Sequence, residues 1–157
     1  MLMKQGTVPF SWPVLLLTGT LLANTIAISA EFVPYPGKRE VRLVDVEAPN
    51  LVVIQFDTDM IGFFRTLKIR VPNIDIPDDS QESPACEKAL ARKAREFTRH
   101  FLAQAKSIYV LDMRMKTSAD EEAISPILTD QGDLAEALEK AGLARPDTVA
   151  QDKPWCL

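Results

Sequence analysis

Apolar and β-branched residues, interrupted by single or paired polar positions, gather in three early stretches of the chain. Val41–Val46 (VRLVDV), Leu51–Asp57 (LVVIQFD) and Phe63–Val71 (FFRTLKIRV) read as β-strands. The gaps between them, Glu47-Ala48-Pro49-Asn50 and Asp59–Gly62, are turn-like by composition, so an antiparallel meander is expected. A polar loop, Asp78–Ser83, then leads to the clearest helical period. Leu90, Ala94, Phe97 and Phe101 recur on one side, and Lys88, Arg92, Arg95 and Arg99 line the other. Ser83 suits an N-cap, Pro84 suits the first helical position, and the helix is expected to end near Ala105. The basic row reads first as the solvated side of an amphipathic helix, and second as a patch for an anionic partner.

Further along, Ser107–Asp112 (SIYVLD) alternates as a strand, and Met113–Glu122 reads as a loop. Ala123–Thr129 (AISPILT) reads as the last strand, with Pro126 marking an edge or bulge. Asp133-Leu134-Ala135-Glu136 resembles a capping box opening a helix over Leu134, Ala137, Leu138 and Ala141, which Gly142 stops. Three strands, a helix, two strands and a helix make an α+β domain. That order suits a small five-stranded β-barrel of the oligonucleotide-binding type with flanking helices. The domain is placed at 41–157, and residues 31–40, with two prolines and a glycine, read as a linker or edge segment.

The first thirty residues form a class of their own. Lys4 is the only charge, an apolar run VLLLTGTLLA follows over Val14–Ala23, and small residues lead out through Ile28-Ser29-Ala30. This is the pattern of a secretory signal peptide, which places the protein in the periplasm or outside the cell. The competing reading is an uncleaved N-terminal anchor, which would put the protein on a membrane. Cleavage removes Lys4 and no acid, leaving 17 basic and 22 acidic residues, or −5. A chain of that sign has no general attraction for phosphate backbones, so contact with nucleic acid would have to be local. The two cysteines, Cys86 and Cys156, permit one pairing. In an oxidising compartment they read as a disulfide; the alternative is two free thiols. With one histidine, His100, and two thiols, zinc-type ligand clusters are excluded.

Several phrases, in order, resemble the staphylococcal-nuclease (thermonuclease) family from about Val41 to Cys156. Ile69-Arg70-Val71-Pro72-Asn73-Ile74-Asp75-Ile76-Pro77-Asp78 is similar to the family's V-R-L-x-G-I-D-x-P-E. Ala89–Phe97 (ALARKAREF), Gly132–Pro146 (GDLAEALEKAGLARP) and the closing Lys153-Pro154-Trp155-Cys156 follow, the last resembling exported bacterial members. The resemblance implies calcium-dependent hydrolysis of phosphodiesters in DNA or RNA. Such chemistry needs two aspartates for a hard cation, a carboxylate to take a proton from water and two arginines for the phosphate.

On that resemblance Asp75 matches the second metal aspartate and Arg70 the first arginine. Asp78 stands at the glutamate's place, one methylene short. The shortfall is about 1.5 Å, and a misplacement near 1 Å can cost on the order of 100-fold. Ile76 replaces the usual threonine. The first metal aspartate has two alignments: Asp57 if Phe56-Asp57-Thr58 carries the family's turn, or Asn50, Leu51 or Val52 if the turn is Glu47–Leu51. Counting back from Gly132 puts Glu122 where the second arginine belongs, and an acid there repels a phosphate. Arg114 and Lys116 in the same loop are the nearest substitutes. The expected function is therefore a catalytically degenerate binding module for nucleic acid, another anionic ligand or a protein partner. The alternative is an active calcium-dependent nuclease using Asp75, Asp57, Asp78 and Arg70.

Overall fold

The first three strands form on the three early β-like runs. In the computed structural model, which describes residues 32–57, 64–116, 122–150 and 153–156, they are β1 (Phe32–Ala48), β2 (Leu51–Asp57) and β3 (Phe64–Arg70). The signal or anchor and the Asp59–Gly62 turn lie outside the described residues. β1 and β2 pair antiparallel around Pro49–Asn50, and β2 and β3 pair antiparallel from Leu51↔Arg70 to Asp57↔Phe64. This register sends Val46, Val52, Ile54, Leu67 and Ile69 into one core.

A two-residue strand, β4 (Ile74–Asp75), precedes helix α1 (Ala85–Gln104), and strand β5 (Ile108–Lys116) follows it. Then come β6 (Glu122–Ile124), β7 (Ile127–Thr129), β8 (Gly132–Asp133), helix α2 (Leu134–Lys140), β9 (Arg145–Pro146) and one turn of helix, α3 (Asp147–Ala150). β3 pairs parallel with β6, β6 antiparallel with β5, and β5 antiparallel with the first half of β1. The circuit β1-β2-β3-β6-β5 therefore closes on itself as a five-stranded mixed barrel, consistent with an oligonucleotide-binding-type fold. α1 packs on it through Ala91, Ala94, Thr98 and Leu102, and α2 through Leu134 and Leu138. Thr98 donates its hydroxyl to the Pro49 carbonyl at 2.9 Å, fixing α1 to the β1–β2 turn.

Four local expectations change. The segment 32–40, expected as linker or edge, is strand, because it pairs with β5 from Phe32↔Lys116 to Val41↔Ile108. β5 itself runs past Asp112 to Lys116, where a loop was expected. At Asp112 (φ 45°) the buried positions change phase, from Ile108 and Val110 to Met113 and Met115. Opposite it, the register of β1 shifts between Tyr35 and Lys38, and the Gly37 N–H (φ 97°) donates to Asp112 Oδ1 at 2.8 Å. This is a bulge, which keeps the strand going while breaking the alternation that would announce it. The strand expected over Ala123–Thr129 is two, split at Ser125–Pro126. The buried Ser125 hydroxyl donates to Leu111 O and accepts from Leu111 N, restoring bonds that the break removes. Finally, Ser83 does not cap α1. Its hydroxyl donates to Asp78, and Pro84 occupies the cap position without a side-chain bond. The cap expected at the second helix is present: Asp133 accepts from the Ala135 and Glu136 N–H groups, and Gly142 (φ 69°) follows its C-terminus.

Candidate functional site

Arg70 ends β3. Its neighbours Ile69 and Val71 are buried, so its own side chain points to the outer surface of the barrel. The parallel register sets Lys68 against Glu122 and Arg70 against Ile124, which brings Glu122 diagonally beneath the Arg70 guanidinium. Arg70 Nε donates to Glu122 Oε1 at 2.8 Å, with Nη2 at 3.4 Å from Oε2. Lys116, at the end of β5, places Nζ 3.1 Å from the same carboxylate. The Glu122 side chain is 12% exposed, so three charges share a partly desolvated spot.

The Arg70 hydrogen bond is the main reason that the Glu122 carboxyl lies below the usual glutamate range. Burial opposes it, and Lys116 adds to it. A depressed carboxyl contributes stability that is fully present above its unfolded value, about 4.3, and is lost as pH falls through the lower folded value. Denaturation of the parent and of Glu122→Gln will accordingly show a gap at pH 7 that closes on acidification below the glutamate range. A gap that is independent of pH would mean that Glu122 carries no ion-pair stabilisation.

Asp75 and Arg145 are partners in the short β4–β9 ladder. Arg145 Nε donates to Asp75 Oδ2 at 2.8 Å and Nη2 donates to the Lys153 carbonyl at 2.6 Å, while the guanidinium sits 4.3 Å from the Trp155 ring centre. One residue beyond Trp155, Cys156 is disulfide-bonded to Cys86 in the first turn of α1, with Cα atoms 6.4 Å apart. One arginine thus neutralises the expected metal aspartate and clasps the tail that the disulfide anchors. Arg145 was not singled out in the sequence. It stood inside the Gly132–Pro146 phrase, but nothing local indicates a partner at Asp75.

Asp78 serves its own loop. Hydrogen bonds from the Ser80 side chain first, then the Ser83 hydroxyl and the Ser80 N–H, hold its carboxyl below the ordinary aspartate range. Its N–H donates to Glu87 Oε1 in the first turn of α1. A carboxylate moved in that direction is a weaker base, whereas proton abstraction favours a value near the working pH. Ile76, in the threonine's place, is half-buried against the core.

The structure does not bring Asp57 to Asp75. Asp57 and Leu51 are the two ends of β2, roughly 20 Å apart at ~3.4 Å per residue, and it is Leu51 that pairs with Arg70. Asp57 instead receives Arg42 Nη2 at 2.8 Å on the exposed rim. The other alignment fares better in position: Asn50 is buried beside the start of the Val71–Asp75 segment, its carbonyl accepting from Val71 N at 2.9 Å. It supplies an amide in place of a carboxylate. Among the described residues no three His, Cys, Asp or Glu side chains gather as a metal site, and the carboxylate of Asp75 is taken by Arg145. These residues do not fit a calcium ion held by two converging aspartates.

The chain matches no protein-family model and no curated protein. The barrel and the disulfide therefore stand on the structure alone. Cys86–Cys156 points to an oxidising, extracytoplasmic setting. Among the described residues no helix is long and apolar enough to cross a membrane. The basic row of α1 is largely engaged within the chain. Arg95 pairs with Asp79, Arg99 lies 3.6 Å from Asp45, and Lys88 donates to the Gln81 carbonyl.

Proposed function

We propose that the protein is an exported thermonuclease-like module that acts by binding and does not hydrolyse phosphodiesters. The observation that carries this reading is the Arg70–Glu122–Lys116 cluster. Where the family pattern sets two arginines to hold a phosphate, this chain sets an arginine against an acid at 2.8 Å. A phosphate entering there would have to displace an internal carboxylate already supplied with two cations, and it would meet that carboxylate's charge. The salt bridge of Asp75 to Arg145 removes the cation ligand in the same way.

Two further features support the kinship. The barrel runs in the order that the family fold requires, with the Ile69–Asp78 motif passing from β3 through β4. Asn73, at the place of the motif's glycine, has φ 64°, a left-handed conformation that asparagine tolerates better than most other non-glycine residues. Calcium would be a cofactor only of the active alternative. The decisive assay is calcium-dependent digestion of single-stranded DNA by the purified protein, with Asp75→Ala beside it. The expected result is no calcium-dependent product from either. Product that requires calcium and disappears in Asp75→Ala would establish the nuclease.

A further inference from the structure

The end of β2 and β3 remote from Arg70 holds a second feature that the motif does not involve. β1 parts company with β2 beyond Arg42 and continues alongside β5, so the β2–β3 hairpin and the β1–β5 ribbon diverge. Between them lies a cleft of about 260 Å³, lined by Tyr35, Arg39, Phe56, Arg65, Met113 and Met115. Asp57 completes the rim and is held there by Arg42.

The lining has two chemistries. The floor is apolar: Met113 and Met115 are 2% and 9% exposed, and Phe56 packs against the core. Methionine pairs of this kind adapt to varied apolar shapes. Tyr35, 39% exposed, is one of few large apolar side chains on the described surface, and it stands at the cleft. Apart from Asp57, whose charge is met by Arg42, the rim is cationic. Arg39 and Arg65 are exposed, and among the described residues neither side chain enters a hydrogen bond or ion pair. On a chain of net charge −4, two unengaged arginines beside an apolar floor are a local inversion of the surface.

We infer that this cleft binds a small amphiphilic anion: a single carboxylate head met by Arg39 and Arg65, with a short alkyl body on Met113, Met115, Phe56 and Tyr35. Guanidinium groups favour carboxylates through paired N–H donors, and a low-dielectric floor beside them strengthens that bond. The volume is below the ~300–1,000 Å³ of pockets for drug-sized ligands, which selects a short single chain over a large cofactor. The inference does not depend on whether the Arg70 region cleaves phosphodiesters, since the two lie at opposite ends of β3.

The test is calorimetric titration of the full chain with decanoate, and separately with decyltrimethylammonium, acetate and inorganic phosphate. Saturable binding of decanoate is expected, with decyltrimethylammonium, acetate and phosphate each at least tenfold weaker. Arg39→Gln/Arg65→Gln should weaken decanoate at least tenfold while leaving the thermal midpoint unchanged, and Tyr35→Ala should weaken it several-fold. Both arginines and Tyr35 are exposed, so these variants retain the fold. No saturable binding of decanoate, equal binding of the cationic amphiphile, or equal binding by the double variant would each overturn the inference. Phosphate binding as tightly as decanoate would do the same, since the apolar floor would then contribute nothing.

Discussion

Replacing Cys86 and Cys156 with serine will lower the unfolding midpoint by roughly 12–20 °C, at several degrees per kcal/mol for a domain of this size. The bridge closes a loop with a sequence separation of 70. A constraint of that length removes about 4 kcal/mol of chain entropy from the unfolded state. What it holds is otherwise thinly attached. Trp155 and Cys156 are only half-buried, and Lys153 and Pro154 are exposed. The expected pattern is a large loss of midpoint with native circular dichroism retained at 20 °C, because the barrel core does not include the tail. Reduction of the parent should reproduce the shift. A change of only a degree or two would show that the tail is held by its other contacts.

Arg145→Met should be the most destabilising of the charge substitutions, by about 2–3 kcal/mol. Its guanidinium makes a charged bond to Asp75, a second bond to the Lys153 carbonyl and a ring contact with Trp155. Hydrogen bonds to charged groups contribute about 1.5–3 kcal/mol, and an exposed cation–ring contact about 0.5–1. Asp75 can regain water on loss of its partner, since its side chain is 32% exposed, and this keeps the total below the simple sum. Lysine should recover only part, because it lacks the planar fork that serves two acceptors and a ring together. The effect must also be smaller in the disulfide-free background, where the tail is already loose; coupled groups are not additive. Chemical denaturation of the four combinations measures both terms. Strict additivity would mean that Arg145 acts on Asp75 alone.

Much of the barrel was legible because burial imposes a period. Leu67 and Ile69 face the core on alternate positions of β3, and Val52 and Ile54 join the same core from β2, where Val53 between them is buried as well. The reading failed where a bulge interrupts that period. Asp112 shifts the buried set by one, and across from it Pro36-Gly37 looks like a linker while serving as the other side of the bulge. Ser83 looked like a cap because caps are judged from local spacing, and its hydroxyl goes to Asp78 instead. In the candidate site, the acid at position 122 could be anticipated from the motif. That it would satisfy Arg70 and Lys116 together depends on a parallel pairing between distant strands, for which no local signal exists. The Asp75–Arg145 pair is hidden for the same reason.

On the proposed reading, Glu122 occupies from within the place of an external phosphate. Thermal unfolding of the parent and of Glu122→Gln in rising inorganic phosphate, at ionic strength held constant with chloride, tests it most directly. Glutamine keeps the side chain's size and removes the charge, leaving Arg70 and Lys116 for an anion, and an anion bound only to the folded state raises the midpoint with its concentration. A phosphate-dependent rise is expected in Glu122→Gln and none in the parent. An equal rise in both would show that the site already admits phosphate and would contradict that reading.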